Sequence, residues 1–217
     1  IVPIKTQGDL NPDVPIYEIG GKGVFCSTIE TALLNGEIDV AVHSLKDMPG
    51  EEHPDLVISA MLKRNSPHDV LIGKVSYGFT IGTSSPRREA QLKEMYSNIG
   101  VQIKPIRGNI DTRLEKLDNG EYDAIILAEA GLQALGIDRE YTRLSIVPAV
   151  GQGIIALQTV KGLMSSDIIK EINHDLTYRQ AKLERALLKG IGGDCTTKVA
   201  GYASGDNPIK LEAVYYD

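Results

Sequence analysis

Short apolar runs alternate with segments of helical periodicity along most of the chain, and this alternation constrains the fold more than any other feature. The runs IDVAVH, DVLIG and YDAIILA are typical of buried strands, whereas SPRREAQLKEMYSNI and NIDTRLEKLDNG have the spacing of helices. Strands that alternate with helices in this way are typical of parallel α/β units. The sequence therefore predicts an α/β protein, with its first strand over residues 1–7.

Two breaks divide the pattern. KRNSPHD (63–69) and VPAVGQG (147–153) are rich in turn formers, and the pattern restarts after each. After the run IIALQTV, two helices are followed by two strand-like runs, which indicates an α+β unit. We expect two α/β lobes joined by two crossings, and a small third unit. The expected domains are 1–63 with 153–171, 67–148, and 172–217, the first lacking its N-terminal unit and the third incomplete.

Composition excludes several classes of protein. The chain has 217 residues, 42% of them hydrophobic, and a formal net charge of −6, which disfavours a protein that coats nucleic acid. No apolar run approaches the roughly 20 residues that cross a bilayer. Two cysteines 169 positions apart exclude a disulfide-dense scaffold, and the four histidines lack metal-ligand spacing, so we expect no metal site.

A basic region stands out against this acidic background. Residues 83–113 carry six basic and three acidic side chains. In TIGTSSPRR, Ser85 suits the N-cap of a helix and Pro86 its first position, so Arg87 and Arg88 fall in the first turn. Free N–H groups and the helix dipole favour an anion at this point.

The same arrangement recurs one unit later in KPIRGNIDTR. Arg107 ends a strand, Asn109 is placed as a cap, and Arg113 lies four residues further on. Cations at a helix N-terminus oppose the dipole unless an anion binds there. One such site is equally compatible with a solvated basic face. Two in succession, both at strand ends, favour an anion-binding cleft.

HSLKDMP (43–49) directly follows another predicted strand. It places Ser44, Lys46 and Asp47 at the carboxyl edge of a sheet, where open α/β folds bind ligands. Asp47 beside Lys46 is compatible with a structural ion pair. It is equally compatible with a carboxylate that holds or transfers protons in a cleft.

The two cysteines have different surroundings. Cys26 lies within a predicted helix and suits a small buried apolar position. Cys195 follows Gly192, Gly193 and Asp194, in a loop that can bring its sulfur close to a partner. Because no CxxC motif is present, the sequence gives little support to a redox or zinc site.

These motifs together resemble the porphobilinogen deaminase (hydroxymethylbilane synthase) family over nearly the whole chain. The matching stretches, in the order of the family, are GGKGVF (20–25), AVHSLKDMP (41–49), IGTSSPRREAQL (81–92), RGNIDTRLEKLDNGEYDAIILAEAGL (107–132), VPAVGQG (147–153) and GGDC (192–195). The resemblance implies two lobes similar to periplasmic binding proteins and a third domain that carries a cysteine. It also implies a cytoplasmic, monomeric transferase of tetrapyrrole and heme biosynthesis, although a plastid location stays open.

The implied reaction condenses four porphobilinogen molecules into hydroxymethylbilane with release of ammonia. The resemblance places the thioether to a dipyrromethane cofactor at Cys195 and the catalytic carboxylate at Asp47. The implied partners of the cofactor are Ser44, Lys46, Thr83, Ser85, Arg87 and Arg88. Those implied for the substrate and growing chain are Arg107, Arg113, Phe25, Asp9, Lys22 and Gln152, the last at the second crossing.

Two positions depart from the family pattern. Asp194 replaces the last of three glycines before the cysteine, and Ala134 stands where an arginine is frequent. A negative charge beside Cys195 raises the pKa of a thiol. The alternative function is a non-catalytic two-lobed protein that binds a small carboxylated or phosphorylated anion, since it would need the same basic cleft.

Overall fold

The computed structural model describes residues 1–10, 26–162, 167–192 and 197–216. Its helices are α1 (Gln7–Leu10), α2 (Ser27–Leu34), α3 (Pro86–Met95), α4 (Ile110–Asp118), α5 (Glu129–Leu135), α6 (Asp167–Ile172) and α7 (Asp175–Gly190). Its strands are β1 (Ala41–Ser44), β2 (Leu56–Met61), β3 (Asp69–Gly73), β4 (Thr80–Gly82), β5 (Gln102–Lys104), β6 (Ala124–Ala128), β7 (Thr142–Arg143), β8 (Ile155–Val160), β9 (Val199–Ser204) and β10 (Lys210–Tyr215). The predicted α/β class is confirmed.

Lobe 1 is built on a three-stranded sheet in the order β1-β8-β2. Both pairings are antiparallel, so the expectation of parallel strands is wrong for the described part of this lobe. The reason is connectivity: β8 returns from the second crossing and enters between two strands that precede it by about a hundred residues. The alternation of strands and helices in a sequence does not show which strands will pair with a strand that returns from the other lobe.

Lobe 2 has a five-stranded sheet in the order β5-β4-β6-β3-β7. Strand β4 is parallel to β5 and β6, whereas β3 is antiparallel to β6 and β7. Val70 and Ile72 of β3 pack on one face of the sheet and Leu71 packs on the other. Because both faces are covered, β3 and β6 are continuous apolar runs.

The third unit consists of α7 and the antiparallel hairpin β9–β10. Ala181 of α7 joins a core cluster with Leu45, Ile58 and Ile154 of lobe 1. On the other side, Val150 of the second crossing packs with Leu188 of α7 and Val199 of β9. The third unit therefore rests on both lobe 1 and the crossing.

The strand expected over residues 1–7 is absent. Residues 1–6 have no regular structure, and a single helical turn, α1, follows. Ile1 and Val2 are exposed, and no described strand pairs with this segment. A strand requires a hydrogen-bonding neighbour, which an apolar pattern by itself does not provide.

The two crossings run side by side between the lobes. Leu62 N donates to Ile155 O at 3.0 Å, and Asn65 N donates to Gly153 O at 2.8 Å. Gly153 has φ +81°, and a Cβ there would lie 2.6 Å from Ser66 O and 2.7 Å from Asn65 O. Only glycine permits this close approach of the crossings.

Within the described residues, no helix is both long and apolar enough to cross a bilayer.

Candidate active site

The HSLKDMP segment forms the turn that ends β1. A short 3-10 helix, Leu45–Asp47, follows the strand, and Leu45 N donates to Ile154 O at 2.9 Å. Leu45 and Met48 are buried in lobe 1, whereas Asp47 is exposed. The buried pair anchors the turn, so that Lys46 and Asp47 are held at the edge of the lobe.

The first basic helix terminus forms as the sequence predicts. Ser85 is the N-cap of α3 and accepts from Arg88 N at 3.4 Å, with Pro86 at the first helical position. The neighbouring Ser84 donates to Ile106 O at 2.7 Å. This bond ties the start of α3 to the loop before α4, so the two basic termini lie next to each other.

The second terminus is held by its own cations. Arg113 Nε donates to Gly108 O at 2.7 Å, and Lys116 Nζ donates to Arg107 O at 3.3 Å. Asn109 occupies the N-cap position of α4 but makes no side-chain capping hydrogen bond. The loop is therefore fixed from the helix side, not by the Asn109 amide.

Both termini and the turn after β1 open onto one cavity of about 250 Å³. Its lining comes from both lobes, the second crossing and the third unit: Lys46, Asp47, Ser84, Ser85, Arg87, Arg88, Arg107, Arg113, Ala149, Val150, Gln152, Leu188, Thr197 and Val199. Five of these side chains are cationic and one is a carboxylate, which makes the cavity suited to an anion.

A buried carboxylate lies behind two of the cations. Asp69, at the start of β3, is fully buried and approaches Arg87 Nη1 at 2.8 Å and Arg88 Nη2 at 2.7 Å. Burial alone would raise the pKa of Asp69, but the charges of Arg88 and Arg87 hold it well below its usual range. The five cationic side chains thus outnumber the two carboxylates beside them, Asp47 and Asp69, by three.

Burial, and for some groups the neighbouring cations, lowers the pKa values of cationic side chains in the cavity. Burial, with repulsion from Arg88 and Arg107, lowers the pKa of Arg113 to about 10. Burial also lowers the pKa of Lys46, an effect that the charge of Asp47 opposes. A bound anion would relieve both effects, because an opposite charge favours the protonated form.

The structure brings together most of the residues that the sequence singled out. Eight of them line the cavity: Lys46, Asp47, Ser85, Arg87, Arg88, Arg107, Arg113 and, at the second crossing, Gln152. Two do not line it. Ser44 is exposed, and Thr83 is buried, with its hydroxyl accepting from Ser85 N at 3.2 Å. Cys195, Lys22, Phe25 and the side chain of Asp9 lie outside the described residues.

Sequence reasoning missed three residues of the site. Asp69 ends the turn-forming segment SPHD and begins a buried strand. An acidic residue at the start of a buried strand was the only feature of the sequence that could have pointed to it. Ser84 and Thr197 line the cavity, and only the first lies in a motif. No cluster of three or more His, Cys, Asp and Glu side chains that could hold a metal occurs in the described part of the chain.

Comparison with known families identifies the family to which the chain belongs. The sequence model described as the dipyrromethane cofactor binding domain of porphobilinogen deaminase matches residues 1–166. The chain belongs to the porphobilinogen deaminase family. The resemblance inferred from the motifs is thereby confirmed, and dipyrromethane is the cofactor of the matched domain.

Curated members of the porphobilinogen deaminase family match nearly the whole chain. A probable porphobilinogen deaminase of Archaeoglobus fulgidus is 42% identical, over 96% of this chain and 75% of that protein. One of Picrophilus torridus is 46% identical, over 91% of this chain and 72% of that protein. The porphobilinogen deaminase of Rickettsia prowazekii is 42% identical, over 94% of this chain and 72% of that protein.

Two solved structures that align with part of the chain come from binding proteins of ABC transporters. The probable amino-acid ABC transporter extracellular-binding protein ytmK of Bacillus subtilis aligns with a TM-score of 0.42 and 13% identity, over 76% of each chain. The second substrate binding domain of a putative amino acid ABC transporter from Streptococcus pneumoniae aligns with a TM-score of 0.40 and 19% identity, over 76% of this chain and 73% of that one.

Proposed function

We propose that this chain is a transferase that condenses four porphobilinogen molecules stepwise into hydroxymethylbilane, with loss of ammonia at each step. The observation that carries the proposal is the cavity in which Lys46, Arg87, Arg88, Arg107 and Arg113 converge within a member of this family. Each pyrrole ring of substrate and product bears an acetate and a propionate. A growing chain of such rings needs many cationic partners, and these five side chains supply them.

The residues present fit a dipyrromethane group. Two pyrroles carry four carboxylates, and the cavity offers five cationic side chains together with the hydroxyls of Ser84 and Ser85. Arg87 and Arg88, at the start of α3, would bind the cofactor, whereas Arg107 and Arg113 would bind substrate or the growing chain. When bound, dipyrromethane supplies the acceptor pyrrole from which the chain grows.

We assign the thioether to Cys195. Thr197, two positions further along, lines the cavity together with Val199 and Leu188 of the third unit. The assignment of Cys195 itself rests on the family resemblance. Asp9, Lys22 and Phe25 are assigned to the border of the same site on the family resemblance alone.

Asp47 is proposed as the group that moves protons. Each condensation forms one carbon–carbon bond between two pyrroles and breaks the carbon–nitrogen bond of the substrate's aminomethyl group. The leaving amine must gain a proton, and the acceptor ring must lose one. Asp47 can accept the proton that the acceptor ring loses and donate it to the amine that leaves in the next condensation, because it is a carboxylate on the cavity wall beside Lys46 and within the field of Arg113.

The remaining features are consistent with a cytoplasmic monomer whose partner is a small molecule. We keep the expected domain boundaries at 63–67, 148–153 and 171–172, with the two crossings as the hinges between the lobes. The net charge of −6 gives no support to a nucleic-acid partner. Ser44 and Thr83 are kept as candidate cofactor ligands, although neither lines this cavity.

Intact-mass measurement tests the proposal directly. Protein from cells that make porphobilinogen should exceed its sequence mass by a two-pyrrole adduct, and Cys195→Ala should lose it. Cys26→Ala is the matched control: Cys26 is buried in lobe 1, with its thiol donating to Asp47 O at 3.5 Å, and should keep the adduct. A wild-type protein with neither adduct nor hydroxymethylbilane formation would favour the anion-binding alternative.

A further inference from the structure

Asp69 is the meeting point of a buried polar network that the proposed reaction does not use. Arg88 donates to its Oδ1 from Nε at 2.9 Å, and Arg87 Nη1 lies 2.8 Å from its Oδ2. The same arginines are tied to the backbone, Arg87 to Val147 O at 2.7 Å and Arg88 to Ile126 O at 3.0 Å. Each guanidinium is therefore held from two sides.

The network extends into lobe 1 through the second crossing. Gln152, which is 1% exposed, donates from Nε2 to Asp69 Oδ1 at 3.1 Å and to Pro67 O at 2.7 Å. Its Oε1 accepts from Lys46 Nζ at 3.5 Å. One amide thus links a carboxylate of lobe 2 to an ammonium of lobe 1.

We propose that Asp69 is a positioning residue that orients Arg87 and Arg88 toward the cavity and, through Gln152, ties them to Lys46 across the two lobes. The inference rests on the proposed function, since the cations it positions are the proposed ligands of the pyrrole carboxylates. Two guanidinium groups in the first turn of α3 repel each other and oppose the helix dipole. A fixed carboxylate between them removes that repulsion without occupying the cavity itself.

The network also predicts an electrostatic interaction between Asp69 of lobe 2 and Lys46 of lobe 1. Lys46 faces Asp47 from its own turn, and it faces Arg87, Arg88 and Asp69 from lobe 2. Asp69 raises the pKa of Lys46, whereas burial and the two arginines lower it. Removing the charge of Asp69 should therefore lower the pKa of Lys46, a change that loss of packing alone would not produce.

The test is Asp69→Asn in the full chain, compared with Glu129→Gln. Glu129 is the matched control because it is a fully buried carboxylate of the same lobe, paired with Arg143 at 2.8 Å, and does not line the cavity. The first readout is titration of Lys46 by NMR with ¹³C at lysine Cε, which requires no turnover. We expect the pKa of Lys46 to be lower in Asp69→Asn than in the wild type, and to be unchanged in Glu129→Gln.

The second readout is steady-state kinetics with porphobilinogen. Asp69→Asn should lower kcat/KM by about tenfold or more, because misplaced guanidinium groups no longer meet the carboxylates in the required geometry. Glu129→Gln should lower it only in proportion to its loss of folded protein. An unchanged Lys46 pKa, or equal losses of kcat/KM in the two variants, would overturn the proposal.

A second variant keeps the proposal testable if Asp69→Asn does not fold. Gln152→Met retains volume and both charges but removes the amide that joins Asp69 to Lys46. It should lower kcat/KM several-fold with a small change in melting temperature, and wild-type kcat/KM would overturn the proposal. If the wild-type chain itself forms no hydroxymethylbilane, the proposed function fails, and the NMR titration still decides the role of Asp69.

Discussion

Arg64 and Glu184 form a buried ion pair in which Nη1 lies 2.5 Å from Oε1. The carboxylate of Glu184 also accepts from Gly151 N at 2.7 Å and from Ala203 N at 2.8 Å, while Arg64 Nε donates to Gln152 O at 2.9 Å. One pair thus joins the first crossing, the second crossing, α7 and β9. The third unit is attached at the point where the two lobes are connected.

This arrangement predicts a large loss of stability for Glu184→Gln. Breaking a buried, hydrogen-bonded pair leaves Arg64 without its counter-charge, and such losses cost about 3–5 kcal/mol. Urea unfolding measures the change. Asp118→Asn is the control, because it breaks an ion pair with Arg139 that is exposed to solvent and should matter far less. Equal effects of the two substitutions would show that the Arg64–Glu184 pair is not a structural link.

Asp47→Asn should separate chemistry from folding. Asp47 is exposed on the cavity wall, so replacing its carboxylate by an amide should leave the melting temperature nearly unchanged. Product formation should fall by about 10²–10⁴-fold, the usual range for loss of a general acid or base. The exposed Asp55, in the same lobe, provides the control Asp55→Asn. Near-normal formation of hydroxymethylbilane by Asp47→Asn would remove Asp47 from the mechanism.

Arg107→Gln and Arg113→Gln should weaken binding more than they weaken the fold. Charge-assisted hydrogen bonds contribute about 1.5–3 kcal/mol each, which corresponds to roughly tenfold or more in KM for porphobilinogen. Steady-state kinetics and thermal unfolding give the two quantities. Arg179→Gln is the control, since Arg179 pairs with Asp206 on the surface, away from the cavity. A fall in melting temperature with unchanged KM would mean that these arginines are structural.

The basic helix termini could be predicted because their signals are local. Ser85, Pro86 and the following arginines belong to one turn of helix, and the cap forms as their order predicts. The predicted crossings rest on local signals too, with proline in the first break and proline and glycine in the second. Interactions between residues that are close in the chain can be predicted from a single sequence.

Partners that meet across the fold could not be predicted. Asp69 precedes Arg87 by eighteen positions and Gln152 by more than eighty, and nothing in the intervening sequence indicates that they meet. The antiparallel insertion of β8 between β1 and β2 is equally non-local. These contacts depend on how the chain returns through the second crossing, and a periodic pattern contains no information about that return.

Gly153→Ala tests the contact between the crossings. The added methyl would lie 2.6 Å from Ser66 O at a backbone φ of +81°, so the backbones would have to separate. Gly120→Ala is the matched control, because it has a similar φ of +75° with nothing within 4 Å of the new Cβ. We expect Gly153→Ala to lower the free energy of unfolding in urea by at least about 1 kcal/mol more than Gly120→Ala. Both variants bear the strain of an alanine at positive φ, but only Gly153→Ala also brings its methyl group into collision with a backbone oxygen. Equal losses of stability in the two variants would mean that the crossings can accommodate a methyl group at position 153.

The buried carboxylate of Glu129 predicts how the stability of the protein depends on pH. Burial alone would raise its pKa, but hydrogen bonds from Arg143, Ser66 and Tyr141 lower the pKa of Glu129 to about 2, from the ordinary 4.5. A depressed carboxyl pKa contributes stability that is complete above about pH 4.5 and is lost as the pH falls toward about 2. Glu129→Gln should therefore be less stable than wild type at pH 7, and the difference should shrink between pH 5 and pH 3.

Urea unfolding at several pH values measures that difference. Glu89→Gln is the control, because its partner Lys93 lies one turn away on the surface of α3 and the pair is solvated. Its small effect should show no comparable trend with pH. A difference between wild type and Glu129→Gln that stays constant down to pH 3 would mean that the three hydrogen bonds do not favour the ionised carboxylate, and that Glu129 acts only by filling space beside β3.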